Sequence, residues 1–253
     1  MQLWTYEHTV TLLPALVGML ILAVVLRIAL KQKSHAARML PLQIIAVLLA
    51  LLEIGKQVVS ISRGYDLYHL PFHFCSLFIF VLPVMAFYKG KYQQKVYAVT
   101  ASLCTSVLLL MLIYPDLIYS QRDIQDFFND YLCMHTVVFH NLVMLATILI
   151  IALQVHVPQQ GERKVVAMFM LCFCIVSAVL ANVLETNFNN FYSCNVPPLE
   201  AVRLLMQEKL GYGISQTLYV LTVSVLNILF VQGCYSLYRL LRKLCAWKVR
   251  QTA

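Results

Sequence analysis

Long apolar blocks recur along this chain, each about as long as a helix must be to cross a lipid bilayer, and the charged residues sit between them. The hydrocarbon core is about 30 Å thick and a helix rises about 1.5 Å per residue, so a crossing takes roughly 20 apolar residues. Blocks of that length lie near 9–30, 40–61, 68–88, 96–114, 131–154, 165–184 and 214–238. Inside lipid a segment must satisfy its backbone N–H and C=O groups internally, which makes each block a helix. The expected fold class is therefore all-α: a polytopic membrane helix bundle, one transmembrane domain over 1–253, with about seven transmembrane helices. Composition agrees, since 61% of residues are hydrophobic and 12% charged, against roughly 25% charged in soluble domains. Pro41 is read as opening the second span, Pro71 as lying in the first turn of the third, and Pro115 as closing the fourth. Pro83 should bend the third span from within.

Orientation follows from Lys and Arg, which short loops retain on the cytoplasmic side. One set of connections carries Lys31, Lys33 and Arg38, then Lys89, Lys91 and Lys95, then Arg163 and Lys164, then Arg239, Arg242, Lys243, Lys248 and Arg250. The alternate set carries few cations and most of the carboxylates, among them Asp116, Asp123, Asp126, Asp130, Glu185, Glu200 and Glu208. The sign of the bias persists across every helix. It predicts a multi-pass protein of the cell membrane with the N-terminus outside and the C-terminus in the cytoplasm. The net charge of +8 is thus a topology signal; nucleic-acid binding would need a basic face on a folded domain. A cleavable leader is not expected, because the first apolar block lacks a basic flank before it and is longer than a signal core.

Chemistry-bearing residues gather in the outer halves of three spans. The stretch Tyr68-His69-Leu70-Pro71-Phe72-His73-Phe74-Cys75-Ser76 runs into the third span, Cys133, His135, Thr136, His140 and Asn141 occupy the fifth, and the second contributes Glu53 and Lys56. Ionisable groups are costly at that depth and default to a functional hypothesis. A polar pocket opening outward would explain their shared level. Blander readings stand beside it: Glu53 and Lys56, three apart on one face, also make a simple ion pair, and His69 and His135 also read as headgroup-level residues. His140 lies about 13 Å into its span and needs a partner there. On a regular helix His73 and Cys75 point to opposite sides, so His140 is the better base for a Cys75 thiol. His69, His73 and Cys75 alternatively suggest a metal site, with weak spacing. Of the other cysteines, Cys104, Cys172, Cys174 and Cys234 read as apolar core and Cys245 as cytoplasmic, while Cys133 and Cys194 allow a bridge on the outer side.

The run Leu70-Pro71-Phe72-His73-Phe74-Cys75 resembles the Leu-Pro-x-His-x-Cys signature of the YwaF-like bacterial integral membrane proteins. Pro115-Asp116-Leu117, Phe127-Phe128, His140 and Asn190-Phe191-Tyr192 before Pro197-Pro198 follow in the same order, and the likeness extends from about residue 40 onward. Asn141, where many relatives have glycine, and an extra His135 depart from it. That family is similar to the eukaryotic transmembrane protein 164 lipid acyltransferases. The resemblance implies a cysteine-dependent acyltransferase or acyl hydrolase acting on phospholipid, with Cys75 as nucleophile, His140 as base and His73 beside them. Glu53, Ser76, Asp116, Asn141 and Asn190 would contact the substrate, with no cofactor or metal. The alternatives are a non-enzymatic lipid or small-molecule binding or transport protein, and a membrane metal-binding protein. The connection 185–213 is expected to cover the site, with Leu199–Leu210 as a helix on the membrane surface, Glu200 and Arg203 staying wet.

Overall fold

The computed structural model describes residues 4–250, with side chains through Cys245, so Lys248 and Arg250 of the charge pattern lie outside the described side chains. It is all-helical among the described residues: α1 (Tyr6–Leu30), α2 (His35–Ser62), α3 (Phe78–Phe87), α4 (Gln93–Ile113), α5 (Gln121–Gln125), α6 (Tyr131–Ala152), α7 (Glu162–Val183), α8 (Pro197–Leu210) and α9 (Tyr212–Arg250). Six of these are long and apolar enough to cross a membrane, and the segment Cys75–Phe87 is a shorter apolar helix. The protein is a multi-pass helical membrane bundle.

At the centre lies α4, whose residues Tyr97 to Val107 are all buried. Small residues there let neighbouring backbones approach closely, and the hydroxyls of Ser102, Thr105 and Ser106 turn back onto carbonyls four residues earlier, at 2.7, 2.7 and 2.9 Å. Around it pack α3, α6, α7 and α9. The outer helices present Leu20, Ile28, Leu51, Ile54, Val179 and Leu229 outward, as a lipid-facing surface requires.

Successive helices run in alternate directions. At one end, His8 of α1 donates through Nε2 to Tyr119 O, just beyond α4, at 2.9 Å, while Tyr131 at the start of α6 donates to Leu52 O of α2 at 3.1 Å. At the other end, Gln43 of α2 reaches Ala86 O at the close of α3 at 3.1 Å. There too the buried pair His156 and Glu162, 3.0 Å apart, receives the Tyr235 hydroxyl of α9 at 2.6 Å. The latter end carries the Lys- and Arg-rich connections and is called the basic end below.

Two sequence expectations need correction. Pro41 does not open α2: Ser34 caps that helix, accepting from Ala37 N at 3.3 Å, and Pro41 lies inside it. The third span is not a helix over 68–88. It consists of a 3-10 turn at Leu67–His69, an irregular stretch, a second turn at Cys75–Leu77, and only then α3. Pro71 has no N–H to give and pushes the residue before it out of the helical region; Leu70 is accordingly extended, at φ −60° and ψ 143°. All eight cysteines are free thiols, so Cys133 and Cys194 are unbridged.

Candidate functional site

The irregular stretch before α3 is held by contacts from far along the chain. Asn189, in the turn Phe188–Asn190, accepts through Oδ1 from Phe74 N and donates through Nδ2 to Phe72 O at 2.7 Å and Ser177 Oγ at 2.6 Å. Ser177 of α7 donates to the same Phe72 carbonyl at 3.0 Å. Backbone groups that a helix would have paired internally are thus paired by one asparagine and one serine. Asn189 itself sits at φ 54°, a left-handed conformation that asparagine tolerates better than most residues.

Because the stretch is not helical, His73 and Cys75 line the same space instead of opposite faces. That space is a cavity of about 330 Å³, within the roughly 300–1,000 Å³ usual for ligand sites. From the 67–75 segment it receives Tyr68, His69, His73 and Cys75; from α6, Leu132, His135, Thr136 and His140; from α2, Lys56. Leu117 and Ile118 supply apolar wall, and Asn189 closes one side.

The two histidines beside Cys75 are fixed differently. His140 donates through Nδ1 to Thr136 O, one turn back on α6, at 2.7 Å. A carbonyl can only accept, so Nδ1 carries the proton and Nε2 keeps its lone pair. That Nε2 is buried and has no hydrogen-bond partner among the described residues. His73 is reversed: its Nε2 donates to Tyr68 O at 2.9 Å, with its ring 4.3 Å from Tyr68 and 5.2 Å from Phe188. No hydrogen bond links the Cys75 thiol to either imidazole among the described residues.

Glu53 lies behind the wall and is 8% exposed. Lys56 Nζ is 3.2 Å from its Oε1 and His135 Nε2 is 3.4 Å from its Oε2, while Gln57 donates to Oε1 at 2.7 Å. Gln57 also donates to His69 O at 3.0 Å and accepts from the Tyr65 hydroxyl at 2.8 Å. Glu53 is therefore a buried anchor that positions a lysine and a histidine at the cavity, and is not among the cavity-lining residues.

Of the residues singled out in sequence, Cys75, His140 and His73 come together at the cavity; Ser76, Asp116, Asn141 and Asn190 do not line it. Ser76 is buried beside Cys75. Asn141 donates back to Val137 O at 2.8 Å. In place of Asp116 its neighbours Leu117 and Ile118 reach the cavity, and in place of Asn190 it is Asn189; the Asn190 carbonyl instead accepts from Tyr219 at 2.6 Å. His135 is buried against Glu53. The part of the 185–213 connection that reaches the cavity is the Phe188–Asn190 turn, whereas α8 packs on α9. Arg203 of α8 is held by Glu200 at 2.6 Å and by Gln216 at 3.2 Å, so neither member of that pair is freely hydrated.

A family model, that of the TMEM164 family, matches residues 3–238. The chain belongs to the TMEM164 family. The match runs across α1 to α8 and most of α9, so every helix that borders the cavity lies within it. No curated protein and no solved structure matches the chain.

Proposed function

We propose that the cavity is the reaction centre of a membrane-embedded, cysteine-dependent lipid acyltransferase or acyl hydrolase that takes its acyl group from phospholipid. The observation that carries this reading is the meeting of a free thiol with a lone-pair-bearing imidazole nitrogen at one cavity, between helices that face lipid. In the proposed step the Cys75 proton passes to His140 Nε2 and the thiolate attacks the ester carbonyl. The carbon–oxygen bond breaks, and the lysophospholipid alkoxide takes the proton back from His140, leaving an acyl-cysteine. A hydroxyl acceptor, water or a second lipid, then takes the acyl group by the reverse proton path.

Other groups fit supporting tasks. Lys56, fixed by Glu53, is placed to attract the phosphate of the substrate headgroup, and His69 or His135 to donate to the developing oxyanion. The charge bias of the loops puts the cavity end away from the cytoplasm, so the phospholipid enters from the outer leaflet of the cell membrane. The motif likeness to YwaF-like bacterial proteins belongs to the same reading. Among the described residues no group of three or more His, Cys, Asp or Glu is placed to hold an ion.

Intact-mass measurement of the purified protein, incubated with phospholipid vesicles and quenched in acid, tests the proposal. A mass increase of one acyl chain that disappears in Cys75→Ala is the expected result. Bound phospholipid with no covalent adduct in the wild type would instead make this a lipid-binding protein.

A further inference from the structure

The basic end of the bundle holds an accumulation of charge that the chemistry at Cys75 does not use. The last carbonyls of α6 and those just after it have no helical partners. Arg27 of α1 donates to Ala152 O at 3.1 Å, Arg38 of α2 to Leu153 O at 3.2 Å, and His35 to Val155 O at 3.0 Å. Arg242 of α9 donates through Nε to His156 O at 3.0 Å. A helix C-terminus offers about half a negative charge, yet Arg27, Lys31, Arg38 and Arg242 bring four full positive ones. Among the described residues none of the four is paired with a carboxylate.

Between three of these cations lies a pocket of about 90 Å³ walled by Arg27, Lys31, Arg38 and Gln154. That volume has room for a few waters or for a single phosphoryl group. Among the described residues the Arg38 Nε is buried without a hydrogen-bond partner. Gln154 follows the α6 C-cap at φ 54°, where glycine is the usual residue. Keeping a glutamine there retains strain together with an amide at the pocket wall. Beside the pocket, Val24, Val25 and Ile28 of α1 are exposed to lipid.

We propose that this pocket binds a phosphomonoester group, supplied by an anionic phospholipid of the leaflet on the basic side. A phosphomonoester carries close to two negative charges and three acceptor oxygens, which matches three converging cations better than the net-neutral headgroup of phosphatidylcholine does. Basic pockets between transmembrane helices are suited to such headgroups, and the apolar face of α1 gives the acyl chains a place outside the pocket. The site is remote from Cys75 and independent of the reaction proposed there.

Native mass spectrometry of the full-length protein in detergent tests this, with titration by phosphatidic acid, phosphatidylcholine or inorganic phosphate. Phosphatidic acid should be retained at least about tenfold more tightly than either of the others. Lys31→Gln, at a side chain that makes no hydrogen bond among the described residues, should lower that retention about tenfold, the equivalent of one charge-assisted contact. Gln154→Gly should also lower it while relieving the backbone, so a folding defect does not confound the reading. Equal retention of phosphatidic acid and phosphatidylcholine, or a preference unchanged in both variants, would overturn the proposal. Inorganic phosphate binding as tightly as phosphatidic acid would overturn the lipid source.

Discussion

At the scale of single residues, His140 and Asn189 bear the most weight. If the Cys75 thiol and His140 act as one unit, Cys75→Ser and His140→Ala should each remove most acyl transfer. The double variant should then be no worse than either alone, because the second loss removes nothing further; turnover of labelled phospholipid by the three proteins checks this. Additive losses would separate the two residues. Asn189→Gly keeps the backbone conformation at φ 54° available but strips the side chain from Phe74 N, Phe72 O and Ser177. Loss of partners for buried backbone groups costs about 1–3 kcal/mol, so a lower unfolding midpoint together with lost adduct formation is expected. Cys75 and His140 were legible in the sequence because ionisable groups stand out against an apolar background. Asn189 was not, because an asparagine in a polar connection is unremarkable, and its partners lie 115 and 117 positions away.

At the scale of elements, Gly55 of α2 faces Tyr131 of α6. A Cβ on Gly55 would collide with the Tyr131 hydroxyl, which donates to Leu52 O at 3.1 Å. Gly55→Ala should swing the ring away and lose that bond, at about 1 kcal/mol, or roughly 2–4 °C in the melting temperature; differential scanning fluorimetry in detergent reads this. On α8 the Arg203 guanidinium holds the Glu200 carboxyl below the usual carboxylate range, against the opposing effect of burial. A depressed folded value means the stabilisation is present above the unfolded value of about 4.3 and is lost as pH falls through the lower folded one. Protection against hydrogen exchange over 197–210, corrected for the intrinsic amide rate at each pH, should therefore fall on going from neutral pH to about pH 3, and Arg203→Ala should produce the same opening at neutral pH. The long helices were legible from their apolar length alone. The broken entry to α3 was only half legible: Pro71 announced a distortion, but its extent is set by Asn189 and Ser177, which no local pattern connects to it.

At the scale of the whole molecule, the alternate contacts at the two ends of the bundle and the charge bias of the loops lead to one topology. The connections 115–130 and 185–213, on the cavity side, should be outside, and α9 should run out into the cytoplasm. Single-cysteine variants labelled by an impermeant maleimide test this in intact cells, with labelling expected at Asn129→Cys and not at Lys243→Cys in an otherwise cysteine-free protein. The opposite pattern would place the cavity on the cytoplasmic side and reverse the leaflet from which phospholipid enters. The shortness of α3 also bears on how the protein is made. Ten residues of helix reach about 15 Å, half the hydrocarbon thickness, and the stretch before it carries two histidines and backbone groups whose partners, Asn189 and Ser177, come later in the chain. Such a segment partitions poorly into lipid by itself when it leaves the ribosome. Its lasting partners are α2, already in place, and α4, which begins after the short connection 88–92 and packs against it. Biogenesis then depends on α3 and α4 entering as a hairpin, and the residues around Cys75 gain the α6 wall of their cavity only after that hairpin is in place.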